Sequence, residues 1–155
     1  MSTFIPKVFV LGDSPIISCS RFREYLTKTN YQQFEPKTYD ECTRWLNWVF
    51  KYSKEVQHIP IILINGHGCL VGEKLFLKLS DNFKISAEIL NTDISTIKQS
   101  YNTLCCGCIQ VCYSGAHKWD CFDTCVTVTD NISVGNYGVI DEAFETLLEE
   151  KKKTF

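Results

Sequence analysis

Two apolar runs each stop abruptly at a reactive side chain, and they restrict the fold of this chain more than any other feature. The first run, 61–64, leads into His67, which has a glycine on either side, and the second, 108–111, leads into Cys112. Runs of this length are typical of strands buried on both faces of a parallel sheet. Neighbouring parallel strands end at one edge of a sheet, where open α/β sheets place their sites. The sequence therefore predicts that His67 and Cys112 lie close together at such an edge.

Strand and helix patterns alternate along the remainder of the chain. Strands are predicted over 8–11, 31–34, 59–64, 106–112 and 125–129, with a half-exposed strand or hairpin arm over 73–79. Helices are predicted over 20–28, 39–50, 86–101 and 139–148. This alternation favours a parallel sheet with crossover helices. We expect a single domain over 1–155, folded as a three-layer α/β/α sandwich with a mostly parallel central sheet of about five or six strands.

Capping residues mark two of the predicted helix starts. Thr38 followed by Glu41 forms a capping box, which satisfies free N–H groups in the first helical turn. Ser86 is expected to cap the next helix in the same way, because a hydroxyl at this position accepts a backbone hydrogen bond. The apolar face of that helix is predicted to comprise Ile89, Leu90, Ile94, Ile97 and Tyr101.

Composition excludes some classes of partner and indicates the compartment. The net charge is −2 and no basic block exceeds 151–153, so the clustered Lys and Arg that bind nucleic acid are missing. No apolar run approaches the roughly 18 residues of a membrane span, so no membrane partner is expected. The N-terminal residues lack the pattern of a signal peptide. The nine cysteines are therefore expected to be reduced thiols of a cytoplasmic protein.

His67 and Cys112 together carry the chemistry expected at the sheet edge. A thiol nucleophile needs a base and a proton donor for the leaving group, and histidine suits both roles near pH 7. Gly66 and Gly68 let the backbone turn sharply around His67 and permit close approach of a substrate. The N–H groups of Gly68 and Cys112 are candidate donors to an oxyanion. A lone histidine or cysteine at a strand end is usually structural, but their joint placement favours a site.

The same residues resemble the caspase-like cysteine peptidase superfamily, which includes caspases, metacaspases, legumain-like and gingipain-like peptidases and CHAT domains. Asn-Gly-His-Gly at 65–68 is similar to the metacaspase Ser-Gly-His-Gly. Gln-Val-Cys at 110–112 resembles the start of the caspase motif Gln-Ala-Cys-Arg-Gly, and Cys-Tyr-Ser-Gly at 112–115 resembles the metacaspase and CHAT form. The chain departs from these motifs at Val111, where many metacaspases have Asp, and it lacks the caspase Arg-Gly.

The resemblance implies a cysteine endopeptidase that acts on a protein or peptide substrate, with a regulatory protein as a further partner. Cys112 would be the nucleophile, His67 the general acid/base, and Gly68 a contributor to the oxyanion hole. Asp13 follows the first strand, where metacaspase-like members bind a basic P1 side chain. Arg21 is the nearest counterpart of the caspase arginine that selects Asp at P1, so both specificities stay open, with the basic one preferred. The chemistry requires no metal and no organic cofactor.

Three other interpretations remain at the sequence level. A catalytically silent caspase-like module would bind a partner protein, although it would have no chemical need for His67 and Cys112. A redox protein would be expected to carry Cys-x-x-Cys at a helix start, and this chain does not. A zinc site would need paired knuckles in loops, whereas several cysteines of the candidate cluster are predicted on one strand. That cluster comprises Cys105, Cys106, Cys108, Cys112, His117, Cys121 and Cys125.

Overall fold

The computed structural model of the protein describes residues 5–13 and 32–127. In these ranges the chain forms, in order, β1 (Ile5–Gly12), β2 (Gln32–Phe34), α1 (Tyr39–Val56), β3 (His58–Asn65), β4 (His67–Val71), β5 (Lys74–Ser80), β6 (Phe83–Ser86), α2 (Ala87–Tyr101), β7 (Cys106–Gln110) and β8 (Thr124–Thr127). A short 3₁₀ turn, Ser114–Ala116, lies between β7 and β8. The predicted helices over 20–28 and 139–148, together with Arg21, lie outside the described residues.

The larger sheet has five parallel strands in the order β2-β1-β3-β7-β8. Its central strand, β3, contains the first apolar run, and every residue from Ile59 to Asn65 is buried. Strand β7, which contains the second run, pairs directly with β3. The two runs are therefore adjacent parallel strands, as predicted, and the protein belongs to the mixed α/β class.

A smaller antiparallel sheet follows β3, with the strand order β4-β5-β6. A single residue, Gly66, separates β3 from β4, and a Cβ at this position would lie 2.3 Å from the carbonyl oxygen of Lys78. The predicted hairpin arm is β5, which pairs on both sides rather than on one. The predicted alternation of buried and more exposed side chains along β5 is confirmed, because Leu75, Leu77 and Leu79 are buried while Lys74 is exposed.

The two described helices begin at the predicted caps. The backbone N–H of Glu41 donates to the Thr38 hydroxyl at 3.1 Å, and that of Ile89 donates to the Ser86 hydroxyl at 3.1 Å. The helices pack against each other, α1 also against β3 and α2 also against β5 and β6. These contacts form one helical layer among the described residues. Of the predicted sandwich, the described residues therefore show an α/β arrangement with a parallel sheet and one layer of helices.

Two details of the predicted elements are wrong. Ile89 was expected on the apolar face of α2, but 49% of it is exposed. The buried side of α2 instead follows Ala87, Leu90 and Ile94, so Ile89 lies on the outer side. Strand β7 ends at Gln110 rather than at residue 112.

Candidate active site

The carboxyl ends of β1, β3 and β7 meet in register at one edge of the parallel sheet. Gly12 lies opposite Asn65, which in turn lies opposite Gln110. Asp13 directly follows Gly12. His67 comes two residues after Asn65, and Cys112 comes two residues after Gln110. The topology therefore brings all the predicted site residues to a single edge, where parallel sheets place their ligands.

The junction between β1 and β3 is held by main-chain and amide hydrogen bonds. The N–H of Asp13 donates to the carbonyl oxygen of Asn65 at 3.1 Å, and the Asn65 side-chain amide donates to the carbonyl oxygen of Asp13 at 3.0 Å. Gly12 has φ of 113°, and a Cβ there would lie 1.8 Å from the Asn65 carbonyl oxygen. Both bonds use the main chain of Asp13, which leaves its half-buried carboxylate available to a ligand.

The junction between β4 and the Cys112 loop is a direct backbone contact. A Cβ on Gly68 would lie 1.9 Å from the carbonyl oxygen of Cys112, 2.9 Å from its carbonyl carbon and 3.2 Å from its nitrogen. Real Cβ atoms do not approach backbone so closely, so only glycine fits at this position. Gly68 and Cys112, which were predicted to share an oxyanion hole, are thus brought together by close backbone packing.

The loop that carries Cys112 is a tight turn. The N–H of Ser114 donates to the carbonyl oxygen of Val111 at 3.3 Å, and Tyr113 adopts a left-handed conformation with φ of 63°. This turn explains why β7 ends before Cys112. The indole N–H of Trp119 donates to the carbonyl oxygen of Ser114 at 3.1 Å, and Trp119 is buried. Trp119 therefore supports the loop from the interior.

Trp119 was not identified from the sequence as part of the site. A buried tryptophan usually finds a hydrogen-bond acceptor for its single N–H group. That rule could have indicated a polar role for Trp119, but the acceptor itself becomes evident only from the folded loop.

The thiols of the described ranges differ in how readily they can ionise. All eight are free, and Cys69 is exposed while Cys112 is half-buried. Burial raises the pKa of five others, because it disfavours the charged thiolate. Their pKa values rise to about 12 for Cys42, Cys121 and Cys125, and rise also for Cys105 and Cys108. These five thiols are therefore poor nucleophiles, which leaves Cys112 as the accessible thiol at the end of the β7 strand.

The three histidines of the chain occupy different places. His58 begins β3 and so lies at the opposite edge of the sheet from Cys112. His67 begins β4 and is exposed. His117 follows the Cys112 loop, with its ring 4.9 Å from that of Trp119. Burial lowers the pKa of His117, so its imidazole is neutral near pH 7. The sequence suggested His117 only as a zinc ligand, and its position makes it a second imidazole near the site.

His67 and Cys112 are neighbours in topology but are not joined by a hydrogen bond among the described residues. Exposure alternates along β4, so His67 lies on its outer side while Gly68 faces the Cys112 backbone. Hydrogen bonds between catalytic groups are often long or absent in ligand-free proteins and shorten when substrate binds. The arrangement thus brings a thiol, an imidazole and the touching main chains of Gly68 and Cys112 to one edge of the sheet.

The described part of the chain lacks two other kinds of feature. Within residues 5–13 and 32–127, no group of three or more His, Cys, Asp or Glu side chains is placed to hold a metal ion. No helix in the same ranges is both long and apolar enough to cross a membrane.

Comparison with known proteins finds no family model and no curated protein that matches this chain. Function therefore has to be inferred from the residues of the site.

Proposed function

We propose that the protein is a caspase-like cysteine endopeptidase in which Cys112 is the nucleophile and His67 the general acid/base. The observation that supports this most strongly is the backbone contact between Gly68 and Cys112 at the shared edge of β3 and β7. The same proposal includes a single domain folded as a three-layer α/β/α sandwich. It also includes a cytoplasmic location for the protein and a protein or peptide as its substrate.

The proposed reaction has two covalent steps. His67 takes the proton of the Cys112 thiol, and the thiolate attacks the scissile carbonyl carbon, so that a C–S bond forms and the carbonyl electron pair moves to oxygen. The N–H groups of Gly68 and Cys112 donate to that oxyanion. The tetrahedral intermediate collapses as the C–N bond breaks, and His67 gives a proton to the leaving amine. Water, deprotonated by His67, then attacks the thioester, the C–S bond breaks to release the acid product, and His67 returns the proton to the sulfur of Cys112.

Asp13 is proposed to bind a basic P1 side chain. Its main chain is fixed to Asn65 by two hydrogen bonds, so its carboxylate is held at the end of β1 beside β3. A carboxylate with a fixed backbone at this edge can pair with Lys or Arg of a substrate. Substitution of Asp13 by Asn should therefore raise KM for substrates with Arg at P1 more than for those with Gln.

A second candidate function is a silent module that binds a partner through the same edge. The observation that favours it is the outward position of His67, which forms no hydrogen bond with Cys112 in the described structure. The two candidates differ in whether the thiol turns over a substrate.

Turnover of peptide amides by wild type and three variants separates the two functions. Wild type should cleave, Cys112→Ala should lose activity entirely, and His67→Ala should lose at least about 100-fold, which is typical of an acid/base residue. His58→Ala is the matched imidazole control and should retain activity, because His58 lies at the opposite edge of the sheet. Circular dichroism must show that each variant is folded. Full activity of Cys112→Ala, or no cleavage by folded wild type, would contradict the peptidase function.

A further inference from the structure

A cavity of about 300 Å³ lies at the amino end of β3, away from the candidate active site. Its wall comes from the last turn of α1, the start of β3 and residues 102–104, which follow α2. Strand β3 runs for 8 residues from His58 to Asn65, so its two ends are about 23 Å apart. We call this space the amino-end cavity, and it is separate from the edge that carries Cys112.

The polar side chains of the wall keep most of their hydrogen-bonding capacity for a ligand. The side-chain amides of Gln57 and Asn102 form no hydrogen bond with another described residue. The Lys54 ammonium group donates to the carbonyl oxygen of Tyr101 at 2.8 Å and has two further protons to donate. Nδ1 of His58 is buried and also has no partner among the described residues, although buried polar atoms nearly always have one.

The charges around the amino-end cavity favour an anion. Among the described residues that line it, only Lys54 is charged. Burial lowers the pKa of His58, and the positive charge of Lys7 lowers it further, so the imidazole is neutral near pH 7. Lys7 lies on β1 opposite Pro60, and it therefore adds a second positive charge on this side of the sheet.

The two helices that end at the cavity do not cancel this preference. The C-terminal end of a helix carries partial negative charge on carbonyl groups that lack a partner. Here the N–H of Gln57 donates to the carbonyl oxygen of Ser53, and the N–H of Asn102 donates to carbonyl oxygens in the last turn of α2. Lys54 satisfies Tyr101 in the same turn, so several terminal carbonyl groups are already paired.

The remainder of the wall is apolar and favours a ligand with a hydrocarbon part. Ile59 is buried and Leu104 is half-buried, and both line the cavity beside the polar groups. A volume of this size is at the lower end of the range for ligand sites and suits a small molecule. An inorganic anion would leave the apolar wall uncovered, whereas an organic acid with a branched aliphatic group covers it.

We propose that the amino-end cavity binds a small carboxylate that carries an aliphatic group. The carboxylate pairs with Lys54 and accepts hydrogen bonds from the amides of Gln57 and Asn102. The aliphatic group packs on Ile59 and Leu104. This site goes beyond the proposed peptidase function, because none of its residues belongs to the candidate active site. A free organic acid and the C-terminal carboxylate of a peptide that ends in leucine share this chemistry.

Titration of the ¹⁵N-labelled protein with N-acetyl-leucine, followed by NMR, tests the site without requiring turnover. The acid should saturably shift the backbone signals of Gln57, Asn102 and Thr103. A dissociation constant of about 2 mM is expected, because the probe has about a dozen non-hydrogen atoms and ordinary ligand efficiency. The neutral isostere N-acetyl-leucinamide should bind about fivefold more weakly, as loss of one exposed ion pair allows.

A tetrapeptide that ends in leucine with a free carboxylate distinguishes the two sources of the ligand. Tighter binding of the peptide than of N-acetyl-leucine assigns the site to a C-terminal carboxylate. Weaker binding of the peptide assigns it to a free acid. Both results support recognition of a carboxylate.

Substitutions in the wall identify the groups that recognise the acid. Lys54→Gln should reduce the affinity for N-acetyl-leucine to that for the neutral amide, and Lys54→Arg should restore it. Asn102→Asp should also weaken binding of the acid, because it places a like charge beside the ligand, while Asp tolerates the left-handed backbone as Asn does. Lys84→Gln, at an exposed lysine on β6 outside the cavity, is the matched control and should bind as wild type does.

Three results would overturn the proposal. Absence of a saturable shift at ten times the expected dissociation constant would show that the cavity binds no such acid. Equal affinity for the acid and the neutral amide would show that the carboxylate is not recognised. A preference for the acid that persists in Lys54→Gln would place its recognition elsewhere in the protein.

Discussion

Glycine at position 68 allows two chain segments to touch that any other residue would separate. Its missing side chain leaves room for the carbonyl group of Cys112, which lies where a Cβ would be. The same contact brings the main chain of Gly68 against that of the residue that carries the thiol. An oxyanion hole needs its donors fixed before the reaction begins, since they then cost no reorganisation.

Substitution of Gly68 by Ala should disable the site. The added methyl group must displace β4 from the Cys112 loop, so reaction of Cys112 with a peptidyl electrophile should slow by about 100-fold or more, as for loss of an oxyanion donor. Gly72→Ala is the control, because Gly72 has open space around it and only a positive φ of 66°. That control should lose about 1 kcal/mol of stability and keep its reactivity. Equal reactivity of both variants with wild type would contradict the role of Gly68.

Trp119 offers a separate test of how the nucleophile loop is held. Replacement by Phe keeps most of the buried ring and removes the N–H that donates to Ser114. The free energy of unfolding should fall by about 0.5–1.5 kcal/mol, the usual net value of one hydrogen bond. The labelling rate of Cys112 should fall as well, because the loop loses its interior support. Urea unfolding and labelling kinetics measure the two effects. An unchanged labelling rate would show that the loop keeps its conformation without the Trp119 hydrogen bond.

At the scale of elements, helix α2 connects the small sheet to the strand that leads to Cys112. Its first turn is capped by Ser86, and its buried face is formed by Ala87, Leu90 and Ile94. Near its end, Lys98 forms an ion pair with Asp123 at 2.9 Å, just before β8. The helix thus contacts the small sheet and, through Lys98, the segment just before β8, which is a neighbour of β7.

Removal of the Ser86 cap should weaken this connection. Ser86→Ala deletes the hydroxyl that accepts from the N–H of Ile89, and a lost N-cap costs about 1 kcal/mol. Ser100→Ala is the matched control within α2, because its exposed hydroxyl bonds only a carbonyl of the preceding turn. The control should leave the unfolding free energy unchanged or slightly higher, since Ala favours helix. A similar loss in both variants would show that α2 is not capped as described.

The elements that could be predicted from sequence are those specified by local chemistry. Thr38 and Ser86 mark helix starts because their hydroxyls satisfy nearby N–H groups, and the apolar run at 61–64 marks a strand buried on both faces. The exposed position of Ile89 could not be predicted, because the face that a helix buries depends on its tertiary partners. The end of β7 before Cys112 could not be predicted either, because it depends on a turn that Trp119 supports.

At the scale of the whole molecule, the site depends on registers between strands that are distant in the chain. The sequence indicated that Asp13, His67, Gly68 and Cys112 belong to one sheet edge, and the parallel order of β1, β3 and β7 accounts for this. The register of the small sheet could not be anticipated in the same way, because a shift at the β5–β6 pairing lies between Lys78 and Ser80.

Acid should destabilise the whole fold through two half-buried imidazoles. Burial lowers the pKa of His58, with a contribution from Lys7, and burial lowers the pKa of His117 despite nearby carboxylates. An unfolded histidine binds a proton near pH 6.5. Between that pH and the lower folded pKa values, the unfolded chain holds more protons. The free energy of unfolding should therefore fall as pH decreases through this window and level off below it.

Urea unfolding at pH 7.5 and at pH 5.5 measures this loss. The double variant His58→Gln/His117→Gln should lose less stability than wild type between the two pH values. Lys51→Gln should behave as wild type, since it adds no group that titrates in this range. An equal loss in the double variant and in wild type would assign the acid sensitivity to other groups.

The central claim is that Cys112 is a nucleophile activated by His67, and covalent labelling tests it most directly. The folded protein is treated with a peptidyl electrophile carrying Arg at P1, its intact mass is measured and the modified residue is mapped. We predict one label per chain, on Cys112 among nine thiols, with exposed Cys69 unmodified, and a labelling rate that falls sharply in His67→Ala. Labels spread over several thiols, or a Cys112 rate that is the same in His67→Ala, would contradict it.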